Sequence, residues 1–203
     1  EEPWERTLFI LVSERPDRLL PTILSRTQEV AVPRIAPAVL ERAALDSGVT
    51  DPVQARSMAR LAGGSLLELQ HLAAGENDAL RHENFGLFCS LMRLSYNDKH
   101  LELVAWAEEA AQFSREQQRA FLLDAARLLR ESFMLHAAIP EVGYLWGEEL
   151  AFCSKFAPFV DSRNIEPLIA QIESASAQLS QNGNPTIVFT HFALAVSKLI
   201  KHL

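Results

Sequence analysis

The chain has 203 residues, 48% of them hydrophobic and 22% charged, a globular composition with enough apolar side chain for one large core or two small ones. Its formal charge is −7, and residues 1–75 hold 10 acids against 8 bases while residues 76–203 hold 16 against 11. Neither part is the basic surface that grips phosphates by counterion release, so direct nucleic-acid binding by this chain alone is disfavoured. No uninterrupted apolar run reaches the about eighteen residues of a bilayer span, and the opening Glu-Glu-Pro-Trp is no signal peptide. A cytoplasmic protein with no membrane contact is expected.

Residues 7–13, TLFILVS, are apolar on both alternating faces, the pattern of a central strand covered on both sides. Residues 27–32, TQEVAV, form a second strand candidate, and the intervening LLPTILSR is a short helix. Together they make one βαβ unit. Two strands do not stand alone in water, so residues 1–32 are expected to be the C-terminal remnant of a larger α/β domain, or else a piece that packs on something else.

After Val32 the strand signals stop. Residues 36–48 form a helix with Pro37 in its first turn and Gly48 just past its end. Asp51 caps the next helix with Pro52 behind it, and a third helix ends at Gly75, which gives a three-helix subdomain over 33–75. The polar stretch 75–78 is the hinge. Everything in 79–203 then reads as longer helix.

One helix places Phe85, Phe88, Leu91 and Met92 on a stripe, and the next places Leu101, Val104, Ala107 and Ala111 on another. Ser114 with Gln117 is a capping box, followed by Phe121, Leu122, Ala125, Leu128 and Leu129. Further helices run over 148–157 and 163–181, where Asn182 and Gly183 stop the second, and the last starts at Pro185 with Asn184 as its cap. Trp106 and Met134 are core residues on these stripes. Glu108-Glu109 and Glu148-Glu149 are read as solvated helix faces.

No self-contained catalytic centre emerges. The six histidines show no metal-ligand spacing and are surface or capping residues. Cys89 and Cys153 are far apart in apolar surroundings and are read as core thiols. Ser13, Ser25 and Ser65 lack a GxSxG elbow. Gly63-Gly64 lacks the remainder of a phosphate loop, so it is an interhelix turn. By residue type alone, Arg26 is a charge at a helix C-terminus, favourable to the macrodipole.

The string TLFILVSERPDRLLPTILSRTQ, residues 7–28, resembles the region around sensor 1 and the arginine finger in the AAA+ subunits of DNA polymerase clamp loaders, where a buried strand precedes an "LP.TI.SRC" segment. The likeness is dense over residues 1–32. Beyond that, the lid and helical tail match in order and size, and the tail only in length, class and layout.

The fold this implies is mainly α: the last βαβ of an AAA+ α/β domain (1–32), a three-helix lid (33–75) and an all-helical collar for oligomerisation (79–203). The resemblance makes Arg26 an arginine finger, flanked by Ser25 and Thr27, with threonine where the family usually has cysteine. Such a finger reaches across a ring interface to the Mg-ATP of a neighbouring subunit. Ser13 falls near sensor 1, where a polar side chain could orient water or phosphate. The family's Gly-Ser-Leu-Arg lid motif becomes Gly64-Ser65-Leu66-Leu67, and leucine cannot pair with phosphate.

A finger without sensor 2 fits the delta-prime kind of DNA polymerase III subunit, which completes a neighbour's ATPase site and binds no nucleotide itself. Walker A, Walker B and any zinc knuckle would precede Glu1. The implied partners are the gamma/tau and delta subunits, and through the assembly the sliding clamp and primed DNA. Two alternatives stand beside this reading: an ATP-hydrolysing gamma/tau subunit with a divergent lid, and a stand-alone helical adaptor.

Overall fold

The computed structural model describes residues 6–13, 16–75, 78–138 and 145–201. They divide into two compact units, Glu1–Pro33 and Arg34–Leu203. Among the described residues no helix is long and apolar enough to cross a membrane.

The first unit carries little regular structure: a 3₁₀ turn at Pro16–Arg18 and one short helix, α1, at Pro21–Leu24. Neither expected strand is formed; among the described residues there is no β-strand at all. The cause lies in backbone chemistry. A strand satisfies its N–H and C=O groups only across a ladder, and residues 7–13 and 27–32 have no strand beside them. The apolar side chains that marked a buried strand, Leu8, Phe9, Ile10, Leu11 and Val12, are 60–92% exposed.

Among the described residues the regular structure of the second unit is all helix, and the helix boundaries follow local chemistry. Helix α2 (Pro37–Asp46) starts on Pro37 and is followed by Gly48 at φ +103°. Helix α3 (Pro52–Leu61) is capped by the Asp51 carboxylate, which accepts from the Val53 N–H at 3.0 Å. Helix α4 (Leu66–Ala74) has Ser65 accepting from the Glu68 N–H and ends on left-handed Gly75. Leu40, Ala44, Ala55, Met58, Ala59, Ala62, Leu69 and Leu72 from these helices form a small core.

Between α3 and α4, Gly64 takes φ +92° and its carbonyl accepts from the Ile35 N–H at 3.0 Å. A Cβ there would overlap the Arg34 side chain. The double glycine is therefore the turn that lets the entering chain lie on the α3–α4 connection. Of the expected hinge, residues 76 and 77 lie outside the described residues.

The larger core is built by α5 (Asp78–Tyr96), α6 (His100–Gln112), α7 (Arg115–His136), α8 (Gly147–Phe156), α9 (Ile165–Ser180) and α10 (Pro185–Lys201). Helix α10 packs on α5, α6 and α9, while α7 packs on α5, α8 and α9. Trp106, Phe121, Phe189 and Phe192 meet in the middle with ring centroids 5.8–6.5 Å apart, the spacing at which aromatic edges and faces attract.

The capping box forms in full, Ser114 accepting from the Gln117 N–H and Gln117 accepting from the Ser114 N–H. Gln118 then reaches back to donate to the Ala111 and Phe113 carbonyls at 3.2 and 2.8 Å, satisfying the end of α6. Asn182 at φ +61° and Gly183 end the turn after α9, and Asn184 accepts from the Ile187 N–H to open α10.

Helix α6 is phased differently from its expected stripe. Leu103, Trp106, Ala107 and Ala110 are buried, whereas Leu101 is 88% exposed. The indole decides the phase: Trp106 is the largest apolar side chain on the helix, and its N–H finds an acceptor in the buried Leu87 carbonyl at 3.1 Å. Met134 is only half-buried near the end of α7.

Leu103→Ala should therefore cost about 2–5 kcal/mol, the usual range for emptying a buried leucine, while Leu101→Ala should stay within about 0.5 kcal/mol. Urea unfolding of the two variants reads the difference directly.

Candidate functional site

Helix α1 has only four residues, too few to hold together by its own hydrogen bonds. Pro21 at its first position fixes the entry, and its exit is tied by the residues around Arg26. The Ser25 N–H donates to the Pro21 carbonyl at 2.9 Å, the Arg26 N–H to Ile23 at 3.0 Å and the Thr27 N–H to Leu24 at 3.3 Å. Both neighbouring hydroxyls also turn inward on the same helix end. Ser25 Oγ donates to the Thr22 carbonyl at 3.3 Å, and Thr27 Oγ1 lies 3.1 and 3.3 Å from the Ile23 and Leu24 carbonyls.

This arrangement separates the roles of the three residues. Ser25 and Thr27 spend their hydroxyls on carbonyls that a helix C-terminus leaves unpaired, so they hold the turn. Arg26 between them is exposed, and no hydrogen bond or ion pair engages its guanidinium among the described residues. A permanently charged fork with five donors stands free to meet an anion. Thr27, where the resembled motif has cysteine, supplies a stronger hydroxyl donor than a thiol to the same carbonyls.

Ser13 lies outside that turn, at the end of the exposed stretch 7–13, which has neither helix nor strand to aim it. Leu67 sits in the first turn of α4 and is 62% exposed, an apolar side chain on the surface. Among the described residues no group of three His, Cys, Asp or Glu side chains could hold a metal ion. Cys89 and Cys153 are both buried and free; burial pushes their thiols up to about 12 and about 11, which keeps them protonated and unreactive at neutral pH.

A second polar cluster escaped the sequence reading. Glu149, taken there for a solvated residue beside Glu148, is 13% exposed and accepts two hydrogen bonds from Arg127, each 2.8 Å. Arg127 also approaches Asp124 at 3.6 Å, Arg81 approaches Glu149 at 3.6 Å, and Asn84 donates to Asp124 at 2.7 Å. Burial works against the Arg127 charge, but the paired Glu149 carboxylate more than offsets it and the pKa is raised. Glu148 is exposed, so only half of the pair reading is corrected. The available signal was Arg127 itself, a base set among Ala125, Leu128 and Leu129 on a core-facing helix.

Two substitutions should separate display from structure. Arg26→Ala removes a side chain with no structural partner among the described residues and should change stability by less than about 0.5 kcal/mol. Glu149→Ala strands a largely buried guanidinium and should cost about 3 kcal/mol. Thermal unfolding checks both.

A protein-family model described as DNA polymerase III, delta subunit, matches residues 1–36, the stretch that contains Ser13, Ser25, Arg26 and Thr27. No curated protein and no solved structure matches the chain. The match supports a clamp-loader type of DNA polymerase III subunit, with a part in DNA replication.

Proposed function

We propose that the chain acts in the DNA polymerase III clamp loader as a subunit of the delta-prime kind, supplying Arg26 to the ATPase site of a neighbouring gamma/tau subunit. The observation that carries this reading is the position of Arg26: it lies inside the matched stretch and is held out on a turn whose two flanking hydroxyls are committed to the backbone. A guanidinium so displayed can donate two parallel hydrogen bonds to γ-phosphate oxygens and balance the charge they develop during hydrolysis. The chain would bind no nucleotide itself; Mg-ATP would be the neighbour's.

Leu67 supports delta-prime over gamma/tau. The position that resembles sensor 2 carries an exposed leucine, which offers no donor to a phosphate. In this reading the helices α5–α10 join the chain to the gamma/tau and delta subunits, and hydrolysis next door is coupled to release of the closed sliding clamp onto primed DNA.

The test uses the full-length subunit, wild type and Arg26→Ala, reconstituted with gamma/tau and delta, and follows ATP turnover stimulated by clamp and primed DNA. Turnover at the site Arg26 faces should fall by about 10³-fold or more with assembly intact, the scale on which arginine fingers act. Undiminished turnover would return Arg26 to a helix-end charge and leave the chain a scaffold.

A further inference from the structure

The three helices α2–α4 pack on one another, and among the described residues no extensive helix-to-helix contact joins them to α5–α10. An open cleft of about 900 Å³ runs between Leu61, Glu68 and Leu72 on one side and Asn84, Leu123 and Asp124 on the other. A large side chain makes a crossing of that division: among the described hydrophobic residues, Trp146 at the start of α8 comes from outside 34–75 and packs against the small three-helix core.

Trp146 is itself gripped from the bundle side. The Arg81 guanidinium of α5 lies over its indole, 4.8 Å from the ring centroid. The same Arg81 approaches Glu149 of α8 at 3.6 Å, and Glu149 is bound by two hydrogen bonds to Arg127 of α7. The indole is thus backed by a chain of charges that runs through three helices of the bundle. The cluster is closed in sign, two guanidiniums against the Glu149 and Asp124 carboxylates.

We infer that Trp146, held by Arg81, is the clasp that sets the three-helix subdomain on the helical bundle, with the cleft beside it as the space through which the subdomain swings when the clasp opens. The two cores are packed separately and meet, among the described residues, through a partly buried aromatic side chain, so this join opens before either core does. The cation over the indole and the salt bridge behind it decide how often. This inference concerns the chain itself and stands or falls independently of any role for Arg26.

Hydrogen exchange on the full chain tests it, with wild type compared with Trp146→Ala. Amides of α2, α3 and α4 should exchange at least about tenfold faster in the variant, while those of α6, α9 and α10 keep their wild-type rates. Equal acceleration along the whole chain would make Trp146 an ordinary core residue and overturn the inference, as would no change in α2–α4. Should Trp146→Ala not fold, Arg81→Gln serves instead: it keeps the indole and removes the cation above it, and a smaller acceleration confined to α2–α4 is expected. Unchanged or uniform exchange in that variant would equally defeat the proposal.

Discussion

Backbone hydrogen bonding is the constraint on which the rest depends. A helix pairs its own N–H and C=O groups along most of its length, whereas a strand needs a neighbour. Residues 34–203 answer that demand with helices, several of them capped: Asp51, Ser65, Ser114 and Asn184 at N-termini, Gly75 and Gln118 at C-termini. Residues 6–33 have no such means. Their one four-residue helix is helped by two side-chain hydroxyls, and residues 7–13 and 28–33 have neither helix nor strand, with apolar side chains such as Leu8, Val12, Val30 and Val32 in solvent.

That contrast bears on function. The same hydroxyls that stabilise the end of α1 also fix where Arg26 leaves the backbone, so local folding and the display of the guanidinium are one event. A guanidinium proposed to reach an anion on another molecule gains from this, because among the described residues no carboxylate occupies it. Arg127 shows the opposite economy. It is equally charged, but bidentate pairing with Glu149 consumes its fork, and its work is to tie α7 to α8.

Much of this was readable from sequence wherever the signal is local. The pair Ser114 and Gln117, the Asp51-Pro52 step and the glycines at 48 and 75 act within four residues of themselves, and all form as the spacing predicts. The Arg26 turn was legible for the same reason. What could not be read depended on distant partners. Apolar residues on α6 fall on two phases of the helical repeat, and only the Leu87 carbonyl on another helix favours the one through Trp106. Glu149 and Glu148 are identical in type; the first is largely withdrawn from solvent because it pairs with Arg127, which stands 22 positions earlier. The pattern of residues 7–13 specifies a buried strand, but a strand exists only where a second one pairs with it.

The central claim is that the Arg26 guanidinium reaches the nucleotide of another subunit. Its most direct test replaces the arginine by Arg26→Cys in the full-length subunit and assembles it with gamma/tau carrying an ATP analogue that has a thiol-reactive group on the γ-phosphate. The account predicts that the label is captured at position 26 only in the assembled complex and only when gamma/tau holds the analogue. Labelling of the isolated subunit at that position to the same extent, or none in the complete assembly, would contradict it.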